Sequence, residues 1–171
     1  MFLVRALAQF STRWGIGVII LQIVDGLPLI TSGLEGLQLI ATEEGINNVS
    51  RLIKEWNLAQ TLFDGVGECL FIAQINGISI GVGGILKCKV VPDALRVSRF
   101  YVHPDWRRQG TARAIAKAGL SHAWNFTEVV TCNAQASSIA SPFWESVGFE
   151  PVNIQGITHI LKASEIQGAP Y

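Results

Sequence analysis

Apolar residues recur with two distinct periods along the chain. Leu37, Leu39 and Ala41 alternate with polar or opposite-face positions, a two-residue period that predicts a short strand. Thr42, Glu43 and Glu44 then read as a helix start with acidic residues in the first turn, and Ile46, Val49, Leu52, Ile53 and Trp56 follow at helical spacing. This predicts a helix over about residues 44–57, with a second short one through Leu62. Cys69 to Gln74 and Ser79 to Lys87 flank Asn76-Gly77, and an Asn-Gly pair between two apolar runs is a strong hairpin signal. Leu95 to Val102 follows as a third consecutive strand, with Leu95, Val97, Arg99 and Tyr101 on one face and Arg96, Ser98, Phe100 and Val102 on the other.

Beyond Pro104 the period changes. Ala112, Ile115, Ala116, Gly119, Leu120 and Ala123 form the stripe of an amphipathic helix whose small residues permit close packing. Val129 to Thr131 reads as a strand, Ser138 to Val147 as a helix stopped by Gly148, and Phe149 to Ile154 with Ile157 to Leu161 as a hairpin over Gln155-Gly156. Residues 1–36 hold Gly15, Gly17, Gly26, Gly33, Gly36 and Pro28 with neither period sustained, so they are expected to form an N-terminal extension to a domain over 37–171. Such an extension could cover a binding site, add an edge strand, or, being apolar, pair with a second copy as a homodimer.

Composition narrows the function classes. Thirteen basic residues balance thirteen acidic ones, and 49% of the 171 residues are apolar, which argues against disorder and leaves no long-range field to attract nucleic acid. Cys69, Cys88 and Cys132 are odd in number and widely spaced, a pattern of neither a disulfide framework nor a metal site, so a reducing, cytoplasmic setting without metal is expected. The longest apolar run, Ile16 to Val24, is far short of the roughly 20 residues of a membrane span, so no membrane association is expected. Arg5 and Arg13 before it resemble a secretory leader only faintly, since no small-residue cleavage site follows in Gly26 to Glu35.

Candidate chemistry gathers where a strand gives way to a helix, in Phe100-Tyr101-Val102-His103-Pro104-Asp105-Trp106-Arg107-Arg108-Gln109-Gly110-Thr111-Ala112-Arg113. A helix N-terminus offers unpaired N–H groups and a positive dipole end to a phosphate. Gly110 and Ala112 allow close backbone approach, and Arg107, Arg108 and Arg113 add positive charge. The plainer alternative is a turn carrying solvated charges.

Arg107-Arg108-Gln109-Gly110-Thr111-Ala112 resembles the cofactor motif of the GNAT superfamily of acetyltransferases: Gln or Arg, two free positions, Gly, one free position, then Gly or Ala. It follows the fourth core strand, as in that family, and Pro142-Phe143-Trp144-Glu145-Ser146-Val147-Gly148-Phe149 is similar to the family's second segment, Phe-Tyr, three free positions, Gly-Phe. The resemblance covers about residues 37–162. It implies an α/β (α+β) fold with a mixed, mostly antiparallel sheet of about seven strands flanked by helices. It also implies acetyl-CoA-dependent N-acetyltransfer to a primary amine of a small molecule or peptide. In that reading the pyrophosphate is held by amides of Arg108, Gln109, Gly110, Thr111, Ala112 and Arg113, the pantetheine pairs with Phe100, Tyr101 and Val102, and Asn133 contacts the cofactor. The Val102 N–H would face the acetyl oxygen, where negative charge develops.

The chain departs from the family at Trp144, which occupies the position usually held by a Tyr that protonates the departing thiolate. An indole N–H can donate a hydrogen bond to sulfur but does not titrate usefully, so Trp144 is either such a donor or aromatic packing. Tyr101, Ser141 and water are the substitutes. Glu44, Glu68 and His103 are candidate bases, each with a plainer role as cap, solvated charge or turn former. Cys132 is either a nucleophile or a buried inert thiol. The loss of the Tyr also admits a CoA-binding regulatory domain without turnover. A nucleotide-binding or nucleic-acid module would rest on the arginine loop alone, which lacks the Gly-Lys-Ser/Thr ending of a P-loop.

Overall fold

The computed structural model describes residues 3–11, 17–24 and 33–163. Eight strands form one sheet in the order β1-β2-β3-β4-β5-β6-β8-β7. They are β1 (Leu3–Ser11), β2 (Gly17–Val24), β3 (Cys69–Ile75), β4 (Ile78–Lys87), β5 (Leu95–Val102), β6 (Val129–Cys132), β7 (Glu150–Ile154) and β8 (Ile157–Lys162). Helices α1 (Leu34–Glu43) and α2 (Asn48–Asn57) cover one face; α3 (Thr111–Ala123) and α4 (Ala140–Val147) cover the other. All neighbouring strands are antiparallel except β5 and β6. The α/β class, the meander β3-β4-β5, α3 and the last hairpin agree with the sequence reading.

The expectations for residues 37–62 are corrected. The strand expected over Leu37 to Ala41 is helix: Leu34, Leu37 and Ala41, spaced three and four apart, are buried, whereas Leu39 is 68% exposed. Thr42, Glu43 and Glu44 therefore close a helix rather than open one, with Gly45 at φ 73° and the Ile46 N–H returning to the Ala41 carbonyl at 2.8 Å. α2 starts at Asn48, and residues 58–62 hold no second helix. In the extension, residues 3–11 and 17–24 supply β1 and β2, with β2 paired to β3, so it adds strands at the sheet edge, one of the roles expected for it. The sheet so gains two strands and loses the one expected at 37–41, and α1 runs across residue 36.

The sheet separates two apolar layers. On the α1/α2 face Leu37, Val49, Leu52 and Trp56 pack on Leu70, Ile72 and Val82; on the α3/α4 face Ile115, Leu120, Trp144 and Phe149 pack on Phe71, Ile85 and Val97. Each such side chain contributes roughly 1.5–3 kcal/mol on burial. β4 is thinned by glycines so that both layers can close. A Cβ built on Gly83 would lie 2.7 Å from Phe100 Cδ2, and one on Gly84 only 2.2 Å from Phe63 Cε1.

The side-chain alternation expected along β5 breaks at Arg99, a non-glycine residue at φ 55°. Val82 pairs with Tyr101 and Gly84 with Ser98, so the register slips between them and the strand bulges. An extra residue inverts every later side chain. Leu95 and Val97 share the α3/α4 face with Phe100 and Val102, while Tyr101 turns to the α1/α2 face. The expected grouping of Tyr101 with Leu95 and Val97 is thus overturned.

Candidate functional site

β5 and β6 pair only at Leu95 with Val130 and Arg96 with Thr131, then part. Val102 lies well beyond that last pairing, on the edge of the resulting cleft. The His103 N–H donates to the Ile80 carbonyl at 2.8 Å, which makes Val102 and Gly81 a non-hydrogen-bonded antiparallel pair. In such a pair both backbone groups of Val102 point away from β4, so its N–H faces the cleft. Its carbonyl on the same side accepts from Arg107 Nε at 2.9 Å.

After β5 a short 3₁₀ turn, Pro104–Trp106, leads to the loop. His103 Nδ1 accepts from the Asp105 N–H at 3.2 Å, so this residue shapes the turn. Arg108 at φ 61° and Gly110 at φ 90° both take left-handed backbone, curling the chain into the first turn of α3. Gly110 does so without the penalty a Cβ carries. Gln109 Nε2 donates to the Asp105 carbonyl at 2.7 Å and ties the loop to the turn. Arg108 is exposed, and Arg113 donates to the Ser146 carbonyl and hydroxyl at 3.3 and 3.2 Å, tying α3 to α4. Thr111 is buried beneath the loop with no partner for its hydroxyl.

On the other face of β5, Arg107 holds Glu44 with both terminal nitrogens, at 2.9 and 2.5 Å, and the Tyr101 hydroxyl donates to the same carboxylate at 2.6 Å. The Arg107 guanidinium also stands over the Tyr101 ring, 5.5 Å from its centroid. Arg107 is therefore committed to Glu44 and to the strand end.

A protein-family model described as an acetyltransferase (GNAT) domain matches residues 40–162. The chain belongs to the GNAT acetyltransferase family. As a member it is an acyltransferase. It is similar in fold to the crystal structure of a protein from Exiguobacterium sp. 255-15 assigned to the acetyltransferases, with a TM-score of 0.77 and 24% identity, over 88% of this chain and 96% of that one. An acetyltransferase from Streptococcus agalactiae matches with a TM-score of 0.67 and 10% identity, over 85% and 98% of the two chains. A GNAT acetyltransferase from Elizabethkingia anophelis, solved with acetyl-CoA bound, matches with a TM-score of 0.56 and 15% identity, over 85% and 97%. No curated protein matches the sequence.

The remaining sequence candidates of this GNAT chain separate by environment. Trp144 is 4% exposed, its ring centroid 4.9 Å from those of Phe100 and Phe143 and 5.2 Å from that of Phe149, so it packs among aromatic rings. Burial, then the Glu44 hydrogen bond, holds the Tyr101 phenol above its ordinary range. Burial likewise pushes the Cys132 thiol up to about 12, the property of an inert thiol. Glu68 accepts from the Lys87 N–H at 3.0 Å, where β4 meets the start of β5, at the opposite strand end from Val102. Asn133, just past β6, spends its side chain locally, donating to the Gly156 carbonyl at 3.4 Å and accepting from the Gln135 N–H at 3.0 Å.

Two features escaped the sequence. Asn48 reads as an ordinary residue at a helix start, yet its Nδ2 donates to the Phe100 carbonyl at 2.8 Å. His159, read only as part of a strand, is buried under α4 with Nε2 3.0 Å from Ser141 Oγ and 3.3 Å from Glu145 Oε1, and Nδ1 2.8 Å from Thr158 Oγ1. Ser141 thus contacts a histidine on β8. Among the described residues no His, Cys, Asp and Glu side chains gather as a metal site, and no helix is long and apolar enough to cross a membrane.

Hydrogen bonds from Arg107 hold Glu44 below the ordinary carboxylate value of 4.5. Burial raises Glu55, but bonds from Arg99 and Arg51 outweigh it and leave this carboxyl lowered as well. A carboxyl lowered in the folded state stabilises fully above its unfolded value and loses that contribution as pH falls through the folded one. The melting temperature is therefore expected to drop as pH falls below about 4.5, and less steeply in the double variant Glu44→Gln, Glu55→Gln. Equal acid limbs in thermal melts would remove these two groups as the cause.

Proposed function

We propose that this protein transfers an acetyl group from acetyl-CoA directly to a primary amine, of a small molecule, a peptide N-terminus or a lysine side chain. The observation that carries the reading is the Val102 N–H, turned away from β4 into the cleft between β5 and β6. When an amine attacks a thioester, charge develops on the carbonyl oxygen, and a fixed donor at that point lowers the barrier. The loop from Arg108 to Arg113 supports binding of the pyrophosphate, because successive amides of a helix N-terminus curl around a concave backbone. Phe100, Tyr101 and Val102 would lend their free edge to the pantetheine arm, and Asn133 would touch the cofactor after releasing its local bonds.

Proton traffic in this reading runs through water. Trp144 does not titrate usefully, the Tyr101 phenol is held protonated against Glu44, and Glu44 is too weak a base while Arg107 grips it. The amine nitrogen bonds to the acetyl carbon and loses its proton to solvent, the carbon–sulfur bond breaks, and the CoA thiolate leaves and is protonated by water. Cys132 forms no intermediate. Cys69, Cys88 and Cys132 are all buried, in keeping with a reducing, cytoplasmic setting, and β1 at the sheet edge is where a second copy would pair.

A second reading, a CoA-binding regulatory domain without turnover, is favoured by one observation, the packing of Trp144 in the core. Calorimetric titration with acetyl-CoA and CoA, followed by thiol release across an amine panel, tests both. Binding with amine-dependent thiol release is expected. Binding without release would leave the regulatory reading, and no binding by the native protein would end both.

A further inference from the structure

We propose that Asn48 is a positioning residue for acyl transfer, its carboxamide holding the bulged end of β5 so that the Val102 N–H stays aimed into the cleft. The inference rests on the reading above, in which that N–H meets the acyl oxygen. The donor belongs to the peptide between Tyr101 and Val102. The peptide before it carries the Phe100 carbonyl, gripped by Asn48 Nδ2 at 2.8 Å, and the peptide after it carries the Val102 carbonyl, gripped by Arg107 Nε at 2.9 Å. Two side-chain donors therefore fix the planes on either side of the one whose N–H matters.

The bulge needs such support. Arg99 holds left-handed backbone, which costs a residue with a Cβ free energy, and the strand beyond it has no β6 neighbour. α2 supplies the splint. Glu55, about two turns along the helix from Asn48, accepts from Arg99 Nε and a terminal nitrogen at 3.2 and 2.6 Å. An Asn at a helix start ordinarily serves its own helix's amides. Here the carboxamide reaches a strand 52 residues away in sequence.

The test uses the full chain with Asn48→Asp and Asn48→Leu. Asp keeps the shape and favours a helix start by its charge, but replaces the donor with an acceptor; Leu keeps the volume without polarity. The readouts are the carbonyl stretch of bound acetyl-CoA isotopically labelled at the acetyl carbon, kcat and KM for transfer to a responsive amine, and CoA affinity by calorimetry. Removing an oxyanion donor outright costs 10²–10³ in rate, so mis-aiming one is expected to lower kcat about tenfold and to erase most of the carbonyl downshift. KM for acetyl-CoA and the CoA affinity are expected to stay within about twofold. Variants with native carbonyl shift and kcat, or with kcat, CoA affinity and melting temperature falling together, would overturn the proposal while leaving acetyl-CoA binding by the native protein intact. A native protein that binds no acetyl-CoA would overturn the functional reading and this inference with it.

Discussion

Trp144→Ala is expected to destabilise the fold by about 4 kcal/mol, the middle of the range for deleting a buried aromatic. The indole is 4% exposed and meets Phe100, Phe143 and Phe149 edge-on, so its loss opens a cavity bounded by rings from β5, α4 and the start of the last hairpin. Phe100 sits on the edge of the cleft and is itself packed against β4 at Gly83, so collapse around the cavity would draw on the strand that carries Val102. Trp144→Phe is expected to lose only part of that stability and, per folded molecule, to release thiol at the native rate. Chemical denaturation gives the first quantity and thiol release the second. A Trp144→Phe protein that is stable but catalytically dead would mean that the indole N–H acts on the sulfur after all.

The double change Gly110→Glu, Ala112→Glu is expected to weaken acetyl-CoA binding at least about 100-fold, from two added negative charges at an anion site and loss of close backbone approach. Gly110 holds φ 90°, where a Cβ costs roughly 1–2 kcal/mol, so the fold should survive the change. Carboxylates are also tolerated, even favoured, near a helix start. A melt that stays cooperative and falls by only the few degrees that cost implies would separate a blocked site from a collapsed one, and calorimetry reads the affinity. Binding of acetyl-CoA with native affinity by this variant would show that the loop is merely a helix start.

Local pattern carried much of this protein. The stripe of Ala112, Ile115, Ala116, Gly119, Leu120 and Ala123 determined α3, Asn76-Gly77 determined the hairpin of β3 and β4, and Arg107 to Ala112 marked the loop, because period, turn chemistry and backbone permissiveness are local properties. The family was legible for the same reason, from two short segments in order. Where local signals were degenerate the reading failed. Leu37 and Ala41, four apart, fit either period over so few residues, and only packing against β4 and α2 selected the helix. Tertiary structure alone decided the bulge at Arg99, which turned Tyr101 toward Glu44 and set Val102 in the cleft; a single inserted residue leaves no periodic trace but inverts every side chain after it. It alone decided the bonds of Asn48 to Phe100 and Arg107 to Glu44, for a polar side chain at a helix end finds a distant partner only once the chain between them has folded.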